Sequence, residues 1–365
     1  VHAPRPLHSQ APDQEPRPGD SRYQDIGNKI RDILEEVYKT TGSYVQLLPR
    51  VDNDQKHIAG IYTKVQLETR EGVAVVKKGE IVNSTEYAKI FTLSPATDEP
   101  INRLLFYGMG GVGKSTIFDK IAYDWADDTS EILKRFQLVF LLKMCALSQE
   151  SDLVDSTFEQ LVGEKSGIEQ DELDKFILAN QNEVLILLDG FDEMKTKNLN
   201  AALFGSVLKA LNRTVYKECV ICISTRPSHL DTLTSDSLVQ NPCTHVEVLG
   251  FTDEDINEYI EKFYDENPDS GKALFQAIEK SNMLRNLAKN PMLLLLMCLL
   301  WRESKQLPET ISRLFTEAVN HMFTRKKISK EDGSETVTAI GQTALRGLAS
   351  ANQQFSFSED EFEPK

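Results

Sequence analysis

The chain has 365 residues, 40% of them hydrophobic, and 41 Lys and Arg stand against 56 Asp and Glu for a formal charge of −15. That length supports a substantial core with one or two smaller domains, and the acidic balance excludes a protein that grips nucleic-acid phosphate over a wide surface. Five scattered cysteines (Cys145, Cys219, Cys222, Cys243, Cys298) lack the dense spacing of a secreted disulfide scaffold, so a reducing, cytoplasmic setting is the expectation.

Residues 1–20 carry Pro4, Pro6, Pro12, Pro16 and Pro18 and almost no large apolar side chains, too little to offset the entropy of ordering them, so a disordered Pro-rich linker is expected there. The chain opens on Val1 with no charged segment followed by an apolar one, so no signal peptide is expected, and the sequence reads as a piece of a longer protein. From Ser21 the pattern changes. Ser21 and Gln24 have capping-box spacing, and Ile26, Ile30, Ile33, Leu34, Val37 and Tyr38 recur with helical period, which predicts a helix of about four to five turns. Residues 58–93 are richer in Thr, Val and Ile, with Gly60, Gly72 and Gly79 as breakers, and predict short strands.

Between 101 and 250 the rhythm becomes that of a parallel α/β sheet: strand-length apolar runs at 104–107, 138–142, 184–188 and 220–224, separated by helical stretches. A doubly wound sheet sandwiched by helices is predicted. After Phe251 the strand signals stop, and 253–263, 273–287 and 291–302 predict a helical domain. Two more helical patterns follow at 309–325 and 335–351, and 355–357 predict the start of a strand. The longest apolar run, 292–301, is half of the roughly 20 residues a membrane helix needs, so no span is expected. No solenoid repeat is found. The division that follows is a linker (1–20), a segment of one helix plus short strands (21–100), an α/β domain (101–250), a helical domain (251–308) and the beginning of a further unit (309–365).

Gly108-Met109-Gly110-Gly111-Val112-Gly113-Lys114-Ser115 satisfies G-x-x-x-x-G-K-[ST] and lies between an apolar strand and an amphipathic helix, the context that the mechanism of a phosphate-binding loop requires. Glycines at 108, 110, 111 and 113 remove Cβ obstruction and permit positive φ, so that successive backbone N–H groups can surround phosphates at a helix N-terminus. Lys114 would reach the β and γ phosphates, Ser115 would offer its hydroxyl to Mg²⁺, and Thr116 would bond the α phosphate. The run 184–188 delivers Asp189-Gly190-Phe191-Asp192-Glu193 to the carboxyl end of a parallel strand, where such sheets bind ligands. Asp189 would hold Mg²⁺ through water, and Asp192 or Glu193 would orient or deprotonate an attacking water. A second strand end, Ser224-Thr225-Arg226-Pro227, delivers Arg226, which would sense a γ phosphate. Cys219 and Cys222, three apart on a strand, point to opposite faces and do not read as a metal pair. The six histidines are scattered without metal-ligand spacing.

The combination of GMGGVGKST, LILLDGFDE, ISTRP and LAKNPMLLLL resembles a NACHT domain of the NOD-like receptor family over residues 101 to about 325, and HIAGIYTKVQLETRE resembles the segment that precedes NACHT in many such receptors. The resemblance implies a P-loop fold followed by a helical domain and, from 309, the start of a winged-helix domain. It also implies that Pro291 contacts adenine, that Arg226 is a sensor arginine, and that Asp189, Asp192 and Glu193 form an extended acidic set. It implies further an ATP/ADP switch of innate-immune signalling, with slow hydrolysis, homo-oligomerisation on activation, and an effector or adaptor partner that these residues do not name. Two other readings stand beside it. A P-loop enzyme of another class is one, although the guanine-reading N-K-x-D of a GTPase and the H-R-D and D-F-G of a protein kinase do not occur. The other is a scaffold that binds nucleotide without hydrolysing it.

Overall fold

The computed structural model describes residues 21–47, 55–70, 81–83, 87–91, 102–163, 166–196, 198–235, 238–239, 243–308, 310–325 and 328–350. The first elements are α1 (Ser21–Lys39), β1 (Tyr44–Gln46), β2 (Gln55–His57), α2 (Ile58–Ile61), β3 (Gln66–Arg70), β4 (Ile81–Asn83) and α3 (Tyr87–Ile90). Next come β5 (Arg103–Tyr107), α4 (Lys114–Ala126), β6 (Leu138–Lys143), α5 (Leu153–Thr157), α6 (Gln170–Ala179), β7 (Val184–Asp189), α7 (Ser206–Leu211), β8 (Val220–Thr225), α8 (Leu230–Leu233) and β9 (Thr244–Gly250). The chain then runs through α9 (Asp253–Phe263), α10 (Pro268–Glu279), α11 (Asn282–Ala288), α12 (Pro291–Ser304), α13 (Ile311–Arg325) and α14 (Lys330–Ala349).

Seven strands form one sheet in the order β4-β3-β9-β5-β8-β7-β6. From β9 to β6 all pairings are parallel, and β5, β7 and β8 are buried at every residue, as sheets covered on both faces require. The four predicted strands form, each extended by one residue, at its start for β5 and at its end for β6, β7 and β8. The alternation of Val246 and Val248 (buried) with less buried neighbours in β9 is a further strand that the sequence analysis passes over. β3 and β4 join the same sheet antiparallel, β3 against β9. The segment before residue 101 is thus part of the sheet's edge and of its core.

The segment's helix completes the core. α1 buries Ile30, Leu34 and Tyr38 and packs on α4, whose Ile117, Phe118, Ile121, Ala122 and Trp125 are buried. The guanidinium of Arg31 lies 4.9 Å from the Trp125 ring centroid, and Trp125 Nε1 donates to Phe136 O at 2.8 Å. Tyr38 also finishes the edge strand β6: its hydroxyl donates to Val139 O at 2.8 Å and accepts from Leu141 N at 3.0 Å. Gln160 does the same one step on, accepting from Lys143 N at 2.8 Å and donating to Lys143 O at 3.3 Å. These side chains take up backbone groups that would otherwise template another strand.

Three expectations need correction. Ile58–Ile61 is a helical turn, capped by His57 Nδ1 accepting from Ala59 N at 3.2 Å, so Gly60 sits inside a helix and does not break a strand. Gly72 and Gly79 lie outside the described residues. The single helix expected at 273–287 is α10 and α11, because Ser281 turns extended and its side chain accepts from Leu284 N, restarting the helix. α14 begins at Lys330, five residues earlier than expected, where Ser329 caps by accepting from Asp332 N at 3.1 Å. The strand expected at 355–357, the linker at 1–20 and the side chains of Ser21 and Gln24 fall outside the described residues.

The helical layer is fastened to the end of β9. Gly250 has φ +101°, and a Cβ there would meet Lys289 O at 2.3 Å, so the strand end and the α11–α12 turn approach as closely as glycine allows. Phe251 N then donates to Lys289 O at 2.8 Å. No single helix among the described residues is long and apolar enough to cross a membrane.

Candidate functional site

The loop after β5 turns through two left-handed glycines, Gly111 at φ +78° and Gly113 at φ +102°, and Gly113 is the N-cap of α4. Gly108 and Gly110 do not use the positive φ open to them. Gly108 is small because β9 passes so close that a Cβ would lie 2.5 Å from Val248 O. The loop's two larger residues turn away from the cavity it borders: Val112 is buried and Met109 is 68% exposed. Only their backbones can serve a ligand, a split that the bare motif does not disclose.

Lys114 Nζ donates to Gly108 O at 2.7 Å and Met109 O at 3.0 Å. Burial, helped by Arg226, pulls its ammonium below the ordinary lysine value against the opposing pull of Asp192, Asp189 and Glu193. Ser115 Oγ donates to Asp189 Oδ1 at 3.0 Å, which brings the expected metal pair together from α4 and β7. Asp189 is buried and held on both oxygens: Ser224 Oγ donates to Oδ1 at 2.7 Å, and Lys143 Nζ lies 3.1 Å from Oδ2.

Lys143 is a residue that the sequence analysis missed. It is the register partner of Asp189 at the carboxyl end of the neighbouring strand, and it reaches Asp119 Oδ1 on α4 at 3.1 Å as well. Burial lowers its ammonium's pKa, but Asp119 and Asp189 together outweigh this and raise it. Asp119 is raised by burial in spite of Lys143. A cation ending the run LVFLLK was the available signal, by the same strand-end rule that singles out Asp189 and Arg226.

Arg226 and Asp192 form a pair. Arg226 Nε lies 2.8 Å from Asp192 Oδ2, and Arg226 N donates to Asp192 Oδ1 at 3.2 Å. Asp192 is buried, and each of its oxygens contacts Arg226. A Cβ on Gly110 would lie 3.9 Å from Arg226 Nη1, which sets the guanidinium beside the loop. Glu193 is exposed at the cavity wall. Partial desolvation, then Asp192 and Asp189, push its carboxyl above the ordinary glutamate value.

Lys114, Ser115, Asp189, Asp192, Glu193 and Arg226 line a cavity of about 300 Å³, and Lys143 and Asp119 stand outside its lining; the volume is at the small end of ligand sites. Its other walls come from outside the α/β core. Ile61 at the end of α2 and Tyr62, Thr63 and Val65 between α2 and β3 supply one side, and Phe251, Tyr259, Pro291, Met292 and Leu295 of the helical layer supply the other. Pro291 opens α12 behind its N-cap Asn290, whose side chain accepts from Met292 N and Leu293 N and donates through Nδ2 to Gly110 O at 2.9 Å. Met292 N donates to Gly111 O at 3.1 Å, and a Cβ on Gly111 would meet Met292 Cβ at 2.7 Å. The N-terminus of α12 therefore rests on the phosphate loop itself.

Positive-φ glycines leading into a helix, a lysine with backbone carbonyls as acceptors and a hydroxyl–carboxylate oxygen pair fit a nucleoside phosphate with a hard cation such as Mg²⁺. Fold and site together define a P-loop nucleotide-binding protein. Residues 102–267 match the NACHT domain family, and the curated proteins that the chain is similar to include members of the NLR family. It is 24% identical to the NACHT, LRR and PYD domains-containing protein 3 of Bos taurus, over 76% of this chain and 28% of that protein. It is 26% identical to the NLR family CARD domain-containing protein 4 of Bos taurus, over 74% of this chain and 26% of that one. The chain thus spans about a quarter of the length of these relatives. Among solved structures it is similar to a Walker-type ATPase of Pyrococcus abyssi, with 13% identity and a TM-score of 0.41, over 72% of this chain and 77% of the other.

Proposed function

We propose that this chain is the ATP/ADP-responsive core of a NOD-like receptor type of signalling protein, in which the bound nucleotide sets how the helical layer sits on the α/β sheet. The observation that carries the proposal is the shared cavity. Its phosphate-loop wall and its Pro291–Met292 wall belong to different layers, and Asn290 bonds one to the other. A nucleotide in that cavity touches both layers, so ATP and ADP, which differ at the γ phosphate, favour different arrangements to the extent that their contacts differ.

In this reading the loop backbone of Gly108–Gly113 holds the phosphates, Lys114 leaves its carbonyl acceptors for the β and γ phosphates, and Thr116 bonds the α phosphate. Pro291 lies against the adenine. Ser115 and Asp189 would hold Mg²⁺, which supplies charge neutralisation between the phosphates. Arg226, steadied by Asp192, senses the γ phosphate, and Glu193 takes the proton of an attacking water in a slow hydrolysis that resets the switch. The expected setting is cytoplasmic, with homo-oligomerisation in the ATP state.

The test compares the nucleotide states of Glu193→Gln, which retains ATP. Small-angle scattering with in-line light scattering should find a compact monomer with ADP, and an opened or larger species with Mg·ATP. Identical profiles in the two nucleotides, with binding of both verified, would contradict a switch and favour a scaffold that only binds.

A further inference from the structure

We propose that Lys143 is a built-in counter-ion that makes capture of a divalent cation at Asp189 conditional on nucleotide. The inference deepens the reading above and rests on it for the assignment of Asp189 to the metal side of the site. Lys143 Nζ stands 3.1 Å from Asp189 Oδ2 and 3.1 Å from Asp119 Oδ1, so one ammonium joins two carboxylates on different elements. Asp119 lies one helical turn beyond Ser115 on α4, and Asp189 accepts from Ser115, so the ammonium sits beside the pair of oxygens expected to hold a metal. Register fixes it there, since Lys143 and Asp189 are partners across β6 and β7, and Gln160 bonds both the N–H and the carbonyl of Lys143.

The electrostatic consequence is direct. Two carboxylates bridged by a cation are compensated and offer a second cation little. Without the ammonium, the same two carboxylates face each other with only solvent between them, and a divalent ion is drawn in. Metal–oxygen distances of about 2.1 Å against 3.1 Å for the ammonium ask each carboxylate to close by about 1 Å. With Lys143 present, a divalent ion needs the phosphate oxygens that a nucleotide brings. Lys143 thereby acts through Asp189 as a positioning residue and holds Oδ1 toward Ser115.

Mn²⁺ titration of nucleotide-free protein, read by the loss of the free-ion electron paramagnetic resonance signal, tests this without reference to turnover. Wild type should show weak uptake, and Lys143→Met should bind one Mn²⁺ at least about tenfold more tightly with a matching rise in melting temperature. Lys143→Arg should restore the wild-type refusal, and Asp119→Asn placed in Lys143→Met should abolish the gain. Tight stoichiometric uptake by nucleotide-free wild type, no gain in Lys143→Met, or a gain that survives Asp119→Asn would each overturn the proposal. Should Lys143→Met fail to fold, Lys143→Gln carries the same expectation, and the wild-type titration needs no variant. Because no nucleotide is present, the titration reads the block by Lys143 apart from the switch: a chain that binds no nucleotide would sink the switch reading and the nucleotide condition, while the block itself stands or falls on the Mn²⁺ result.

Discussion

Around the phosphate loop, Asp119, Asp189, Asp192 and Glu193 face Lys114, Lys143 and Arg226, and Glu193 is the most instructive of these carboxylates. Glu193 has its folded-state pKa raised by desolvation and by Asp192 and Asp189. A carboxyl raised on folding lowers stability once the pH is above its folded pKa, and costs nothing below the ordinary glutamate value of about 4.3. Glu193→Gln is therefore expected to melt at a higher temperature than wild type at neutral pH in buffer free of nucleotide and Mg²⁺. The gap should close as the pH falls through the raised pKa. Calorimetry across that range checks it, and a neutral-pH melting temperature equal to or below wild type would contradict the electrostatic reading of this wall. At the same scale Arg103 shows a cation doing structural work. Fully buried, it donates to the carbonyls of Ala210, Leu211 and Cys219, so the last turn of α7 is satisfied by a side chain from β5.

At the scale of elements, what was legible in the sequence was what the chain encodes locally. The apolar runs of β5 to β8 and the glycine-lysine-serine turn are contiguous signals, so their strands, loop and first helix form where the patterns place them. Asp189 and Arg226 were legible because a polar residue closing a buried run must emerge at the sheet's carboxyl edge. Lys143 obeys the same rule and was overlooked. Asn290, Tyr62 and Phe251 were not legible in the same sense: Asn290 meets Gly110 across 180 residues, and no local pattern reports such a meeting. The helical turn at 58–61 was misread because a side-chain cap on a four-residue helix outweighs the Thr, Val and Ile preference for strand around it. The edge strand gives a prediction. Tyr38→Phe removes one hydroxyl and leaves Val139 O and Leu141 N without that partner, which should cost about 1–3 kcal/mol for an unsatisfied buried group. Urea denaturation reads this as a lower midpoint. A variant as stable as wild type would show that β6 does not depend on that hydroxyl.

For the whole molecule, the segment before residue 101, the sheet and the helical layer share one continuous core, and all three wall the same cavity. The stretch from β2 to β3 is also tied to the helical layer, since Lys56 Nζ on β2 donates to Lys262 O and Phe263 O at the end of α9, and Lys262 Nζ donates to Tyr62 O after α2. Two walls of the cavity are thus linked to each other as well as to whatever fills it. A ligand there stabilises the arrangement that it fits, in proportion to its affinity. In the proposed function that ligand is an adenine nucleotide held by Lys114. The most direct test is mass-spectrometric identification and stoichiometry of nucleotide released on denaturing freshly purified protein, with Lys114→Ala as comparator. Near-stoichiometric ADP or ATP from wild type and its loss from an equally folded Lys114→Ala is the expected result. Guanine nucleotide, or no nucleotide from a folded protein that also fails to bind added Mg·ATP, would contradict it.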